Sequence, residues 1–129
     1  MTHPRHALIV EDDESINALV TLALEVHGFT TVSTFNGAQA TDAARRERFD
    51  IAIVDLVLPD QSGLEVCRRL RDGDDSLALI VLTASNTLAD VERAFALGVD
   101  DFLAKPFRPR ELISRMHARL GAPRSRATA

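Results

Sequence analysis

Two acids, Glu11 and Asp12, follow directly on the apolar run Ala7–Val10, and Asp55 interrupts a second apolar run, IAIVDLVL (51–58). A third run, LALIVLTA (77–84), carries Thr83 next to its end, and a fourth, VDDFLA (99–104), is broken by Lys105-Pro106. An unpaired carboxylate inside an apolar run is expensive, so Asp55 requires a hydrogen bond, a cation or a metal. Lys105 alone answers that requirement with a purely structural ion pair. If the run ends share one cleft, three carboxylates stand against one ammonium. A hard divalent cation with oxygen ligands cancels the excess. Mg2+ takes one or two carboxylates, with water and phosphate oxygens completing its shell. Mg2+, a lysine and a hydroxyl together suit a phosphoryl group, whose charge must be met on several sides. A carboxylate beside that metal is also a competent phosphoryl acceptor. The next acids have a plainer use: Asp13 or Ser15 suits the cap of a helix starting there, and Glu14 its first turn, where the helix dipole favours negative charge.

These residues depend on the elements that carry them. After Ala7–Val10, apolar positions at Ile16, Leu19, Val20, Ala23 and Leu24 have the spacing of a helix with one apolar stripe, closed by Gly28. Residues 29–35 alternate and read as a less buried strand, Asn36-Gly37 as a turn, and AQATDAARRER (38–48) as a polar helix of high propensity. The run 51–58 ends in PDQSG, and Leu64, Val66, Cys67 and Leu70 then mark a short helix closing near Gly73. The run 77–84 precedes a helix that carries Leu88, Val91 and Phe95 and is stopped by Gly98. The run 99–104 precedes a final helix with Leu112, Ile113, Met116 and Leu120 on one face. Strands without polar alternation, separated by helices, predict a parallel sheet covered on both faces. The fold class is therefore α/β, a single-domain (βα)5 doubly wound sheet. Right-handed crossovers place every strand-to-helix loop at the carboxyl edge, where open α/β folds bind ligands.

Of the 129 residues, 46% are hydrophobic and 26% charged, the composition of a globular domain. No apolar run reaches the ~20 residues of a membrane span, and MTHPRH leads into too short an apolar run for a signal peptide. With Cys67 alone, there is neither an internal disulfide nor a cysteine metal site. These features predict a cytoplasmic protein. The formal net charge of −4 argues against a general nucleic-acid binder.

The motifs LIVEDD, IVDLVLPDQSGLEV, VLTAS and GVDDFLAKPF, in this order and at these spacings, carry a family likeness. From about His6 to Leu120 the chain resembles the response regulator receiver domain of bacterial two-component systems. The resemblance implies a flavodoxin-like, CheY-like sheet of strand order 2-1-3-4-5. It implies that Asp55 is the phosphoacceptor, served by the phosphohistidine of a sensor histidine kinase or of a histidine phosphotransfer protein. Glu11, Asp12, Asp55 and the backbone carbonyl of Val57 are then the Mg2+ ligands, with Asp12 the more direct of the acid pair. Lys105 is expected on the phosphoryl oxygens, with a cis bond to Pro106. The Thr83 hydroxyl and the Ala84 backbone N–H are further donors.

Phe102 falls where the family places its switch aromatic. Its inward turn after phosphorylation is expected to alter the face made by the fourth helix, fifth strand and fifth helix. That face would control an output domain or partner protein, transcriptional regulation included. The resemblance implies a signalling phosphoacceptor with slow self-dephosphorylation, not an enzyme, binding neither nucleic acid nor membrane itself. Residues 1–120 form the receiver domain in this reading, and 121–129, GAPRSRATA, a flexible tail or the start of a linker to an output domain.

The winged-helix, DNA-binding class of the family forms homodimers through the switch face with charged residues. Asp101 and Arg115 fit an ion pair of that kind, while Val91 and Ala96 replace a cation and an acid and leave Glu111 without its usual partner. Val57 and Ser85, two residues after the acceptor and the hydroxyl, sit where the family tunes the lifetime of the acyl phosphate. Two other functions compete. A haloacid-dehalogenase-type aspartyl-phosphate phosphatase calls for an acid at position 57, which is Val. A receiver-like interaction module that is never phosphorylated needs none of the acids, the threonine or the lysine. Neither G-x-x-x-x-G-K-[ST] nor G-x-G-x-x-G occurs, so nucleotide-binding enzymes have no support.

Overall fold

The apolar runs become strands, and the stretches between them helices. The computed structural model describes residues 4–84 and 87–121. The chain runs β1 (His6–Val10), α1 (Glu14–Val26), β2 (Thr30–Thr34), α2 (Gly37–Arg46), β3 (Ile51–Asp55), α3 (Gly63–Gly73), β4 (Ala78–Thr83), α4 (Leu88–Ala96), β5 (Asp101–Ala104) and α5 (Pro109–Gly121). All strand pairs are parallel, in the order β2-β1-β3-β4-β5. Ser85, and the stretch read as a tail beyond Gly121, lie outside the described residues.

Period-2 alternation along the inner strands divides the core in two. Leu8, Val10, Ala52, Val54, Leu79 and Val81 face Ala40 of α2, Val66, Cys67 and Leu70 of α3 and Ala94 of α4. Ala7, Ile9, Ile51, Ile53, Ile80 and Leu82 face Val20 and Leu24 of α1 and Leu112, Ile113 and Met116 of α5. Inner strands buried on both faces explain why their sequence runs lack polar alternation.

The helix starts are capped by the residue types that turn there. Asp13 accepts from the Ile16 N–H at 2.9 Å, Asn36 from Gln39 at 2.8 Å, and Ser62 from Leu64 at 3.1 Å. Asn36-Gly37 is thus the start of α2 rather than a separate turn. Gly28 and Gly98, at φ +89° and +94°, end α1 and α4 in the left-handed region that favours glycine.

Three sequence expectations need correction. The run 51–58 does not stay a strand: β3 stops at Asp55, and Val57, 67% exposed, pairs only in an isolated bridge with Ser62. The apolar residues of α4 do not face the core either. Leu88 is 73% and Phe95 47% exposed, whereas the buried position is Ala94, the small side chain between them in sequence. Similarly, Leu19 of the α1 stripe is exposed, and Asn17 takes a buried place beside Val20 and Leu24.

Candidate functional site

The sheet register brings the predicted polar residues to one edge. Val10 of β1 pairs with Val54 of β3, so Glu11 and Asp55 emerge side by side, one position further on. Thr83 pairs with Ala104, which puts Lys105 just past the adjoining strand. The Lys105 backbone N–H donates to the Thr83 carbonyl at 2.8 Å, and the Lys105-Pro106 bond is cis.

From there the Lys105 ammonium reaches back across the edge. Its Nζ lies 2.6 Å from Glu11 Oε1 and 2.7 Å from Asp55 Oδ2. Glu11 is 2% and Asp55 5% exposed, so this ammonium meets two carboxylates largely withdrawn from water. The second oxygen of each is also engaged: Asp13 N–H donates to Glu11 Oε2 at 3.0 Å, and Val57 N–H to Asp55 Oδ1 at 3.1 Å. Asp12 is exposed and takes no part in the lysine bridge. Even so, one carboxylate oxygen from each of Glu11, Asp12 and Asp55 lies within 4.8 Å of the others. An all-oxygen donor set with surplus negative charge suits a hard divalent cation.

Burial pushes the Glu11 carboxyl above its ordinary value, aided by the neighbouring Asp55 charge, although hydrogen bonds from Lys105 and Asp13 oppose it. Burial alone would favour a neutral Lys105 amine, but the Asp55 and Glu11 carboxylates overcome it and hold the ammonium above its ordinary value. Lys105 therefore remains charged, and the cluster keeps more carboxylates than cations.

Thr83 is fully buried at the end of β4, and Ala84 follows it as an exposed residue. Phe102, partly buried on β5 opposite Val81, packs against the α2–α3–α4 side of the core. Val57 is brought to the site through its N–H on Asp55, while its side chain points to solvent. On the α4–β5–α5 face, Arg115 Nη1 pairs with Asp101 Oδ1 of the same chain at 2.7 Å, and Glu111 finds Arg115 at 3.9 Å one helical turn away.

Sequence reasoning missed two supports. Asn17 is buried and donates to the carbonyls of Glu11 and Thr34, each at 3.0 Å. Its signal was present: Asn17, Val20 and Leu24 share helical spacing, which marks a polar residue on a core face. Asp60, within PDQSG, accepts from Gly37 and Ala38 across the loop.

The family model of the response regulator receiver domain matches residues 7–117. The chain belongs to the response regulator receiver domain family. Among similar proteins, the DNA-binding response regulator MtrA of Mycolicibacterium smegmatis is 40% identical to this receiver domain over 119 residues, which are 92% of the chain and 52% of the relative. The chain thus spans about half the length of the curated relatives it matches. A CheY-like receiver domain protein from Methanospirillum hungatei shares the fold with TM-score 0.90, at 24% identity over 92% of this chain and 95% of that one. A response regulator from Burkholderia pseudomallei, solved with a phosphorylated aspartic acid, calcium ion and citrate, matches at TM-score 0.84 and 26% identity, over 91% and 69% of the two chains. Receiver domains are signalling components that work with histidine kinases and output domains, and the family generally uses Mg2+. Among the described residues, no helix is long and apolar enough to cross a membrane.

Proposed function

We propose that Asp55 accepts a phosphoryl group from the phosphohistidine of a sensor histidine kinase or histidine phosphotransfer protein. A carboxylate oxygen of Asp55 attacks phosphorus, the O–P bond forms as the N–P bond breaks, and the donor imidazole leaves with the electron pair of that bond. The observation that carries the reading is the Lys105 bridge: the ammonium lies on Asp55 and Glu11 at 2.7 and 2.6 Å, with the Asp12 carboxylate gathered beside them. The Burkholderia pseudomallei relative holds a phosphorylated aspartic acid, which supports an aspartyl acceptor here.

Glu11, Asp12, Asp55 and the Val57 carbonyl would hold Mg2+, with Asp12 the most available carboxylate because both oxygens of Glu11 are already bound. When bound, Mg2+ supplies positive charge against the phosphoryl oxygens and aligns them with the acceptor. Lys105 shifts its hydrogen bond from the Asp55 carboxylate to the transferred group, and the Thr83 hydroxyl and Ala84 N–H donate to it. Movement of Thr83 makes room for Phe102, which alters the α4–β5–α5 face. That face acts on an output domain, and the DNA-binding relatives favour transcriptional control. A homodimer on the same face would break the Asp101–Arg115 pair and re-form it between copies. The proposal includes a cytoplasmic site of action, slow self-dephosphorylation, no direct nucleic-acid or membrane binding by this domain, a receiver unit of residues 1–120, and a tail or linker from 121.

The test is incubation with Mg2+ and acetyl phosphate followed by intact mass. The wild type is expected to gain one phosphoryl group, and Asp55→Asn none. Unchanged incorporation in Asp55→Asn overturns the acceptor. Asp12→Ala is expected to keep the fold and lose Mg2+ binding, and retained millimolar affinity moves the metal elsewhere.

A further inference from the structure

We propose that Asp60 is a positioning residue for the Asp55 site, latching the β3–α3 loop to the start of α2. The inference rests on the reading of Asp55 and its neighbours as a metal-dependent acceptor site.

The loop that leaves Asp55 is closed at its base by its own backbone. Gly63 N–H donates to the Leu56 carbonyl at 2.8 Å, and Val57 pairs with Ser62. Leu56 and Leu58 seat the first half of the loop in the core, and the tip beyond them needs a hold of its own. Asp60, at the tip, supplies the fixture: Oδ1 accepts from Gly37 N–H at 2.8 Å and Oδ2 from Ala38 N–H at 2.9 Å. These N–H groups belong to the first turn of α2, where no intrahelical acceptor exists and the helix dipole favours an anion. Asn36 serves the Gln39 N–H, so Asp60 and Asn36 divide the helix start between them. The hydrogen bond from the Gly37 N–H, with that from Ala38, holds the exposed Asp60 carboxyl below its ordinary value.

The latch bears on the acceptor through Val57. The Val57 N–H fixes Asp55 Oδ1 at 3.1 Å, and its carbonyl belongs to the proposed metal set. With the tip anchored at Asp60, residues 56–60 span two fixed points. With the tip free, the chain on either side of the buried Leu58 loosens, and Val57 with it. Asp60 is not a fourth metal acid: both its oxygens are committed to backbone N–H groups, and it stands outside the Glu11–Asp12–Asp55 group.

The experiment titrates Mg2+ alone into wild type, Asp60→Ala and Asp60→Asn by calorimetry, well below the unfolding temperature, and follows amide exchange at Gly37 and Ala38. Outer-shell partners typically change metal affinity by about 10-fold or more. Asp60→Ala is expected to weaken Mg2+ by about that factor, with faster exchange at both amides. Asp60→Asn, which keeps one carbonyl oxygen, is expected to recover part of the affinity. Wild-type affinity in Asp60→Ala, with wild type itself binding, overturns the latch and leaves the acceptor site standing. No Mg2+ binding by the wild type overturns both. Weakened Mg2+ with unchanged exchange at Gly37 and Ala38 overturns the latch as the cause.

Discussion

The Lys105 ammonium stands 2.7 Å from Asp55 Oδ2, bringing a cation from the end of β5 past β4 to an acid at the end of β3. Lys105 is also the only lysine in the sequence, every other basic side chain among the 15 being arginine. The compact ammonium can leave one oxygen for another with little geometric demand, whereas a guanidinium prefers a fixed two-pronged pairing. The proposed move of this cation from a carboxylate to a phosphoryl oxygen is better served by lysine.

The bridge makes stability depend on pH at the alkaline end. The folded state holds the Lys105 proton above its ordinary value of 10.5. Its contribution is therefore complete below that value and is lost as pH rises through the folded one. Urea unfolding followed from about pH 9 to 12 is expected to show falling stability, with part of the fall absent in Lys105→Met. Equal slopes in the two proteins contradict a bridge that persists in solution.

Gly63 is required by the closeness of backbone to backbone. A Cβ there would lie 2.1 Å from the Asp55 carbonyl oxygen and 2.6 Å from Leu56 Cα, atoms that no rotamer change can move. Gly63→Ala is expected to cost roughly 3 kcal/mol by urea unfolding, at the upper end of overpacking penalties. A loss below about 1 kcal/mol contradicts the packing described.

Asn17 ties the acid pair to the sheet edge. In Asn17→Leu the Thr34 carbonyl keeps the Glu11 N–H at 3.1 Å, but the Glu11 carbonyl loses its side-chain donor. One orphaned buried carbonyl predicts a loss of about 1–3 kcal/mol, measured by urea unfolding.

Cys67 is buried, and burial pushes its thiol up to about 12 against a favourable Arg71 charge. Thiolate is the reactive form, so alkylation by iodoacetamide near neutral pH is expected to be slow in the folded protein and rapid in urea. Fast native labelling contradicts the burial. Because the folded state holds this proton more tightly than the unfolded chain, Cys67 also lowers stability above its ordinary value of 9.0. Only the difference between wild type and Lys105→Met therefore reports on the bridge.

Much of the site was legible because strand ends are visible in the sequence. Glu11, Thr83 and Lys105 stand at the ends of apolar runs and Asp55 interrupts one, and parallel topology carries strand ends to one edge. Elements whose residues obey the local pattern for a non-local reason were less readable. The apolar residues of α4 suggest a core stripe, yet Ala94 takes the buried position and Leu88 and Phe95 are exposed. Val57 continues an apolar run but sits in the loop because β3 ends at Asp55. The Asn17–Thr34 and Asp60–Gly37 bonds span 17 and 23 positions along the chain, and no local window contains both ends of either.

The central claim is that phosphorus is taken up by the Asp55 carboxylate, and the most direct measurement locates it. The protein is treated with Mg2+ and acetyl phosphate, reduced with borohydride, which converts an acyl phosphate to the alcohol, and mapped by peptide mass spectrometry. The account predicts homoserine at position 55 and unmodified Asp12 and Asp60. Homoserine at either of those positions, or none in a protein that has incorporated phosphate, contradicts it.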